Sequence, residues 1–137
     1  MLRALLVTHG ELGRALLATA QGIVGVPAED IEVLSNRELS REALARLVDE
    51  RLAAWGGAEG VVLTDLFGGS CTQAVLGSGP PRPGVGVVCG VNLPMLVDFL
   101  VNRGKYGGAE MAARLIDKGR AGVRLLSRCG DAPEGGA

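Results

Sequence analysis

Apolar residues fall along this chain in two patterns: short, nearly unbroken runs, and longer stretches where they recur every three or four positions. The first run, Leu2-Arg3-Ala4-Leu5-Leu6-Val7-Thr8, and a second, Val61 to Thr64, are nearly continuous, as in strands covered on both faces. Ile31 to Leu34 alternates less cleanly. Val85 to Cys89 is apolar but broken by Gly86, and Gly122 to Leu126 reads as a final short strand.

Between these runs the helical period takes over. Glu11 to Val24 reads as a first helix. Ser40 is placed to cap a second, whose Leu44, Leu47, Val48, Leu52 and Trp55 fall on one face before Gly56-Gly57 stops it. Ser70 to Leu76 reads as a short helix ended by Gly77, Gly79 and the proline-rich loop Pro80 to Pro83. Asn92 caps a helix through Leu93, Leu96, Phe99 and Leu100, with Pro94 tolerated in its first turn. Ala109 to Lys118 makes another, closed by Gly119.

The order β-α-β-α-β-α-β-α-α-β predicts an α/β fold: a doubly wound, mostly parallel sheet with helices on both faces. The last strand is reached through two helices. It either runs antiparallel at an edge or pairs with a neighbouring subunit, and the sequence leaves both open. One domain is expected over residues 1–126, with a polar, glycine-rich, flexible tail over 127–137.

Composition narrows the function. The formal net charge of −1 offers no basic stripe, so nucleic acid is not an expected partner. No apolar run approaches the roughly 20 residues of a membrane span. The strand sequence starts at once, so a signal peptide is not expected. Cys71, Cys89 and Cys129 lack metal-ligand spacing and read as reduced thiols of a cytoplasmic protein. No cofactor is expected.

The sole histidine, His9, ends the first strand and precedes Gly10, which places it in a strand-to-helix turn. Ligands of open α/β sheets collect at that edge. A second such turn, Thr64-Asp65-Leu66-Phe67-Gly68-Gly69-Ser70, brings a carboxylate and a Gly-Gly-Ser loop to the same edge. An imidazole with one unprotonated nitrogen is a good phosphoryl acceptor, and a carboxylate on its other nitrogen fixes the tautomer. The backbone amides of Gly68, Gly69 and Ser70, with the Ser70 hydroxyl, would hold the phosphoryl oxygens. Plainer roles compete with these. His9 suits a surface position, Asp65 or Ser70 a helix cap, Gly68-Gly69 a tight turn, and Cys71 buried packing. A flavodoxin-like module binding a phosphorylated cofactor would use the loop but leave His9 idle. A Cys71 hydrolase lacks the second glycine of a nucleophile elbow.

Val7-Thr8-His9-Gly10 resembles the phosphorylation site of the mannose-type enzyme IIA of the bacterial sugar phosphotransferase system. The segment from Thr64 to Ser70 resembles that family's second signature, and Gly90-Val91-Asn92-Leu93-Pro94-Met95-Leu96 its third. The resemblance covers Leu2 to Leu126. It implies a phosphocarrier that accepts a phosphoryl group on His9 from the histidine-containing phosphocarrier protein and passes it to enzyme IIB. It also implies a homodimer that exchanges its C-terminal strand and meets the membrane only through a permease complex. A phosphotransfer subunit serving dihydroxyacetone kinase shares the fold and is the alternative. The chain departs from the family after Ser70, where proline, an aromatic residue and asparagine are common and Cys71-Thr72-Gln73 stand here.

Overall fold

The computed structural model describes residues 1–127. Its elements are β1 (Arg3–Thr8), α1 (Leu12–Val24), β2 (Ile31–Ser35), α2 (Arg41–Ala53), β3 (Gly60–Thr64), α3 (Ser70–Leu76), β4 (Val85–Cys89), α4 (Leu93–Asn102) and α5 (Gly108–Ala121). The four strands form one parallel sheet in the order β2-β1-β3-β4.

Alternation along β1 shows how the sheet divides the core. Ala4 and Leu6 point into a layer with Phe99, Met111 and Leu115, against α1, α4 and α5. Leu5 and Val7 point the other way, into a layer with Leu44, Val48, Cys71 and Val75 against α2 and α3. With helices on both faces, β1 and β3 are buried along their length apart from Arg3, which explains their unbroken apolar runs.

Both predicted caps are made. Ser40 Oγ accepts from the Ala43 amide at 3.0 Å, and Asn92 Oδ1 from the Met95 amide at 3.2 Å. Trp55 lies beyond the end of α2 in the following turn, yet it packs into the same layer as that helix.

Two sequence expectations need correction. Gly119 does not close the last helix, which runs on to Ala121. A β-carbon on Gly119 would lie 2.4 Å from Met95 Cε, so this glycine lets α5 pass close over α4 rather than stopping it. Gly122 to Leu126 forms no strand in this chain; the backbone turns at Gly122 and continues irregularly. A short apolar segment with no strand to pair with has no ladder to join, and Val123 is 80% exposed. From Arg128 onward the tail expected to be flexible lies outside the described residues, as does Cys129.

Candidate functional site

The strand order reverses direction between β1 and β3: the chain winds from β1 outward to β2, then returns past β1 to β3 and on to β4. Side chains at the carboxyl ends of these two neighbours face a crevice that no crossover helix covers. His9 follows β1 and Asp65 follows β3.

The two side chains meet there. His9 Nδ1 and the His9 backbone amide both lie 2.8 Å from Asp65 Oδ2. An ionised carboxylate only accepts, so Nδ1 carries the proton and Nε2 keeps its lone pair. Ser70 Oγ lies 3.1 Å from Nε2 and donates to it. The imidazole is 42% exposed while the Asp65 side chain is 8% exposed. A buried carboxylate thus holds a solvent-facing base in one tautomer.

Local sequence builds each part of this arrangement. Gly10 adopts a positive φ of 55°, which lets the chain turn sharply after His9 before α1 begins. Its amide donates to Asn36 Oδ1 at 3.0 Å, tying the turn to the loop after β2. Thr8 Oγ1 accepts from the Gly13 amide at 2.8 Å at the start of α1. On the other side, Thr72 Oγ1 donates to the Leu66 carbonyl at 2.7 Å and lies 2.7 Å from Thr64 Oγ1. These bonds brace the Asp65 loop from beneath. Gly69 approaches the ring so closely that a β-carbon on it would lie 3.3 Å from His9 Cε1.

His9, Asp65, Gly69 and Ser70 therefore come together as the sequence predicts, and Gly68 supplies the left-handed turn (φ 77°) that precedes them. One detail differs. The Gly69 amide donates to the Leu66 carbonyl at 3.0 Å, so it closes a turn and is not available to an anion. Asn36 and Thr72 are the supporting residues missed by sequence reasoning. Each is remote from His9 in sequence, and only Thr72, beside the Ser70 signature, carries any local hint.

Cys71 lies beneath the site, fully buried. Burial pushes its thiol up to about 11, with the Asp65 charge adding to the rise and a hydrogen bond with Ser70 opposing it. A thiol with no exposed surface is poorly placed to attack a substrate, which disfavours the hydrolase alternative. Beside the site, Leu66 and Phe67 project outward, Phe67 86% exposed.

A doubly wound sheet carries this pair at its switch point, where ligands of open α/β sheets bind. The family described as the fructose IIA component of the phosphotransferase system matches residues 3–116, and the chain belongs to it. The mannose-specific EIIAB component of Escherichia coli strain K12 is 30% identical over 131 residues, covering 87% of this chain and 38% of that protein. The chain thus spans well under half the length of the curated relatives it matches. The mannose/sorbose-specific IIA subunit from Enterococcus faecalis superposes with a TM-score of 0.80 at 26% identity, covering 93% of this chain and 96% of that one. A phosphotransferase system component EIIA from Streptococcus agalactiae shares the fold, with a TM-score of 0.79 at 21% identity over 90% of this chain and 96% of that one. The chain is thus a mannose-type IIA component of the phosphotransferase system, and these matches do not favour the dihydroxyacetone kinase alternative. Among the described residues no helix is long and apolar enough to cross a membrane.

Proposed function

We propose that the protein is a cytoplasmic phosphocarrier that takes a phosphoryl group on His9 Nε2 from the histidine-containing phosphocarrier protein and gives it to enzyme IIB. The observation that carries this reading is the 2.8 Å contact of Nδ1 with Asp65 Oδ2, which leaves Nε2 as the exposed lone pair. In the transfer, that pair forms the new P–N bond while the donor's P–N bond breaks and its electrons return to the donor imidazole. Positive charge grows on the His9 ring as the bond forms, and the Asp65 carboxylate opposes it across the Nδ1–H bond. Ser70 Oγ, freed from Nε2, and the amides of Gly68 and Ser70 receive the phosphoryl oxygens. Gly69 contributes by having no side chain where the ring and the incoming group must pass. A flavodoxin-like role would leave the His9–Asp65 pair without a task.

Incubation with the general phosphotransferase proteins and phosphoenolpyruvate should add one phosphoryl group, located on His9 by peptide mass spectrometry. An unmodified protein, or a group on another residue, would refute the reading. Asp65→Asn should keep the fold and slow transfer by about 10- to 100-fold, because a hydrogen bond to a charged group contributes about 1.5–3 kcal/mol. Native transfer rates in that variant, followed by rapid quench, would reduce Asp65 to a structural bond.

The same reading includes a homodimer. β4 is an edge strand with Val87 exposed, and Val123, Leu125 and Leu126 are exposed a short distance along the chain from α5. A groove lined by Val87, Cys89, Met95, Ile116 and Val123 runs beside that edge. Exchange of the segment 122–126 between two copies would pair the open edge and cover these side chains. Truncation after Ala121 leaves α5 whole and should yield a monomer by sedimentation, whereas removing Asp131 to Ala137 should leave the dimer intact. A full-length chain that sediments as a monomer at micromolar concentration would count against the exchange.

A further inference from the structure

We propose that His9, Asp65 and Cys71 form a binding site for a divalent transition-metal ion of the zinc class, and that this ion competes with phosphoryl transfer for the histidine. One ligand atom from each residue, a ring nitrogen, a carboxylate oxygen and the thiol sulfur, lies within 4.8 Å of the others. The second observation is the carboxylate itself. The Asp65 side chain is more than nine-tenths buried, and while Oδ2 takes both bonds from His9, Oδ1 has no hydrogen-bond partner among the described residues. A buried, unpaired carboxylate oxygen costs free energy, and a cation beside it would offset that cost.

The donor set selects the metal. Nitrogen, sulfur and oxygen together suit zinc and its neighbours, whereas magnesium and calcium take oxygen ligands alone. Bond lengths of about 2.0–2.3 Å at tetrahedral angles place ligand atoms about 3.3–3.6 Å apart, so the thiol must close by up to about an ångström while the His9–Asp65 pair, now 2.8 Å apart, opens by about half an ångström. The half-exposed imidazole on its loop is the part free to tilt. Three protein ligands leave the fourth position to water.

Charge balance holds as well. The metal replaces the proton on Cys71 Sγ, which leaves to solvent, and the resulting thiolate and carboxylate neutralise the two positive charges while the imidazole stays neutral. Binding should therefore release a proton and strengthen as pH rises. An ion on Nδ1 breaks the bond to Asp65, and an ion on Nε2 occupies the lone pair that attacks phosphorus. Either way the histidine is withdrawn from transfer.

Metal binding does not depend on the phosphocarrier reading; only its consequence for transfer rests on it. Titration of the full chain with Co2+ should give the near-ultraviolet thiolate-to-cobalt absorption and the visible bands of a tetrahedral site, both reversed by Zn2+. Cys89→Ser should keep these bands. Cys71→Ala and His9→Ala should lose them, with affinity falling by at least about 100-fold, beyond the roughly 10–100-fold of outer-shell changes. Absence of the bands in the native protein, or their persistence in either variant, would overturn the proposal. The His9 side chain is half-exposed and outside the apolar layers, so its variant decides the matter even where Cys71→Ala disturbs packing. In a phosphorylation assay, Zn2+ should slow the native protein and spare Cys71→Ala, which retains transfer; equal inhibition of both would overturn the competition. A native protein that takes up no phosphoryl group would refute the phosphocarrier reading, and the cobalt spectrum would still decide the metal site.

Discussion

His9→Ala protein is expected to take up no phosphoryl group, where the native chain gains one acid-labile, base-stable adduct. The loss should be complete because the sequence holds one histidine, and the Cys71 thiol beneath the site is buried and protonated. The variant should still fold. Asp65 Oδ2 keeps its bond from the residue 9 amide, which any side chain leaves in place. What disappears is the Nδ1–H bond, and an under-satisfied buried carboxylate costs about 1–3 kcal/mol. Intact-mass measurement after incubation with phosphoenolpyruvate and the general proteins checks the first effect, and a thermal melt checks the second. An adduct of undiminished yield in the variant would remove His9 from the mechanism altogether.

The site was legible in the sequence because its key residues sit where strand patterns end. Val7-Thr8 closes one apolar run before His9, and Leu63-Thr64 closes another before Asp65, so the sheet edge brings them together once the strands pair. Asn36 and Thr72 were not legible. Their roles arise from a loop crossing to Gly10 and from a hydroxyl beneath the Asp65 turn, contacts that no spacing along the chain encodes. Helix starts read well where a side chain caps them locally, as Ser40 and Asn92 do within three residues. The end of α5 read poorly because a glycine has two opposite uses. Gly119 looks like a stop, yet it serves as a gap in the helix surface that admits Met95. Nor did the pattern of Gly122 to Leu126 settle its structure, since an apolar segment becomes a strand only when an edge is offered to it.

The same ambiguity yields the largest expected change in stability, from adding a methyl group at Gly108. This residue opens α5 over the ends of β3 and β4, with its amide donating to Glu59 Oε1 at 3.1 Å. A β-carbon there would lie 1.9 Å from the Gly84 carbonyl oxygen and 2.9 Å from that of Gly60. Both obstacles are backbone, and the Gly84 carbonyl is itself bonded to the Gly60 amide at 3.0 Å, so neither can swing aside as a side chain would. Relief requires α5 to lift from the sheet, and α5 carries Met111 and Leu115 into the main apolar layer. Overpacking of this kind typically costs about 1–3 kcal/mol and occasionally more, and the rigid neighbours place Gly108→Ala at or above the upper end. A loss of about 3 kcal/mol should lower the melting temperature by about 10 °C in a domain of this size. Gly22, exposed in α1 with no atom within 4 Å of its added β-carbon, supplies the contrast. Gly22→Ala should raise stability by up to about 1 kcal/mol, the difference in helix propensity. Calorimetry on the two variants should therefore move the transition in opposite directions, and a Gly108→Ala protein as stable as the native chain would mean that α5 does not rest on Gly84 and Gly60.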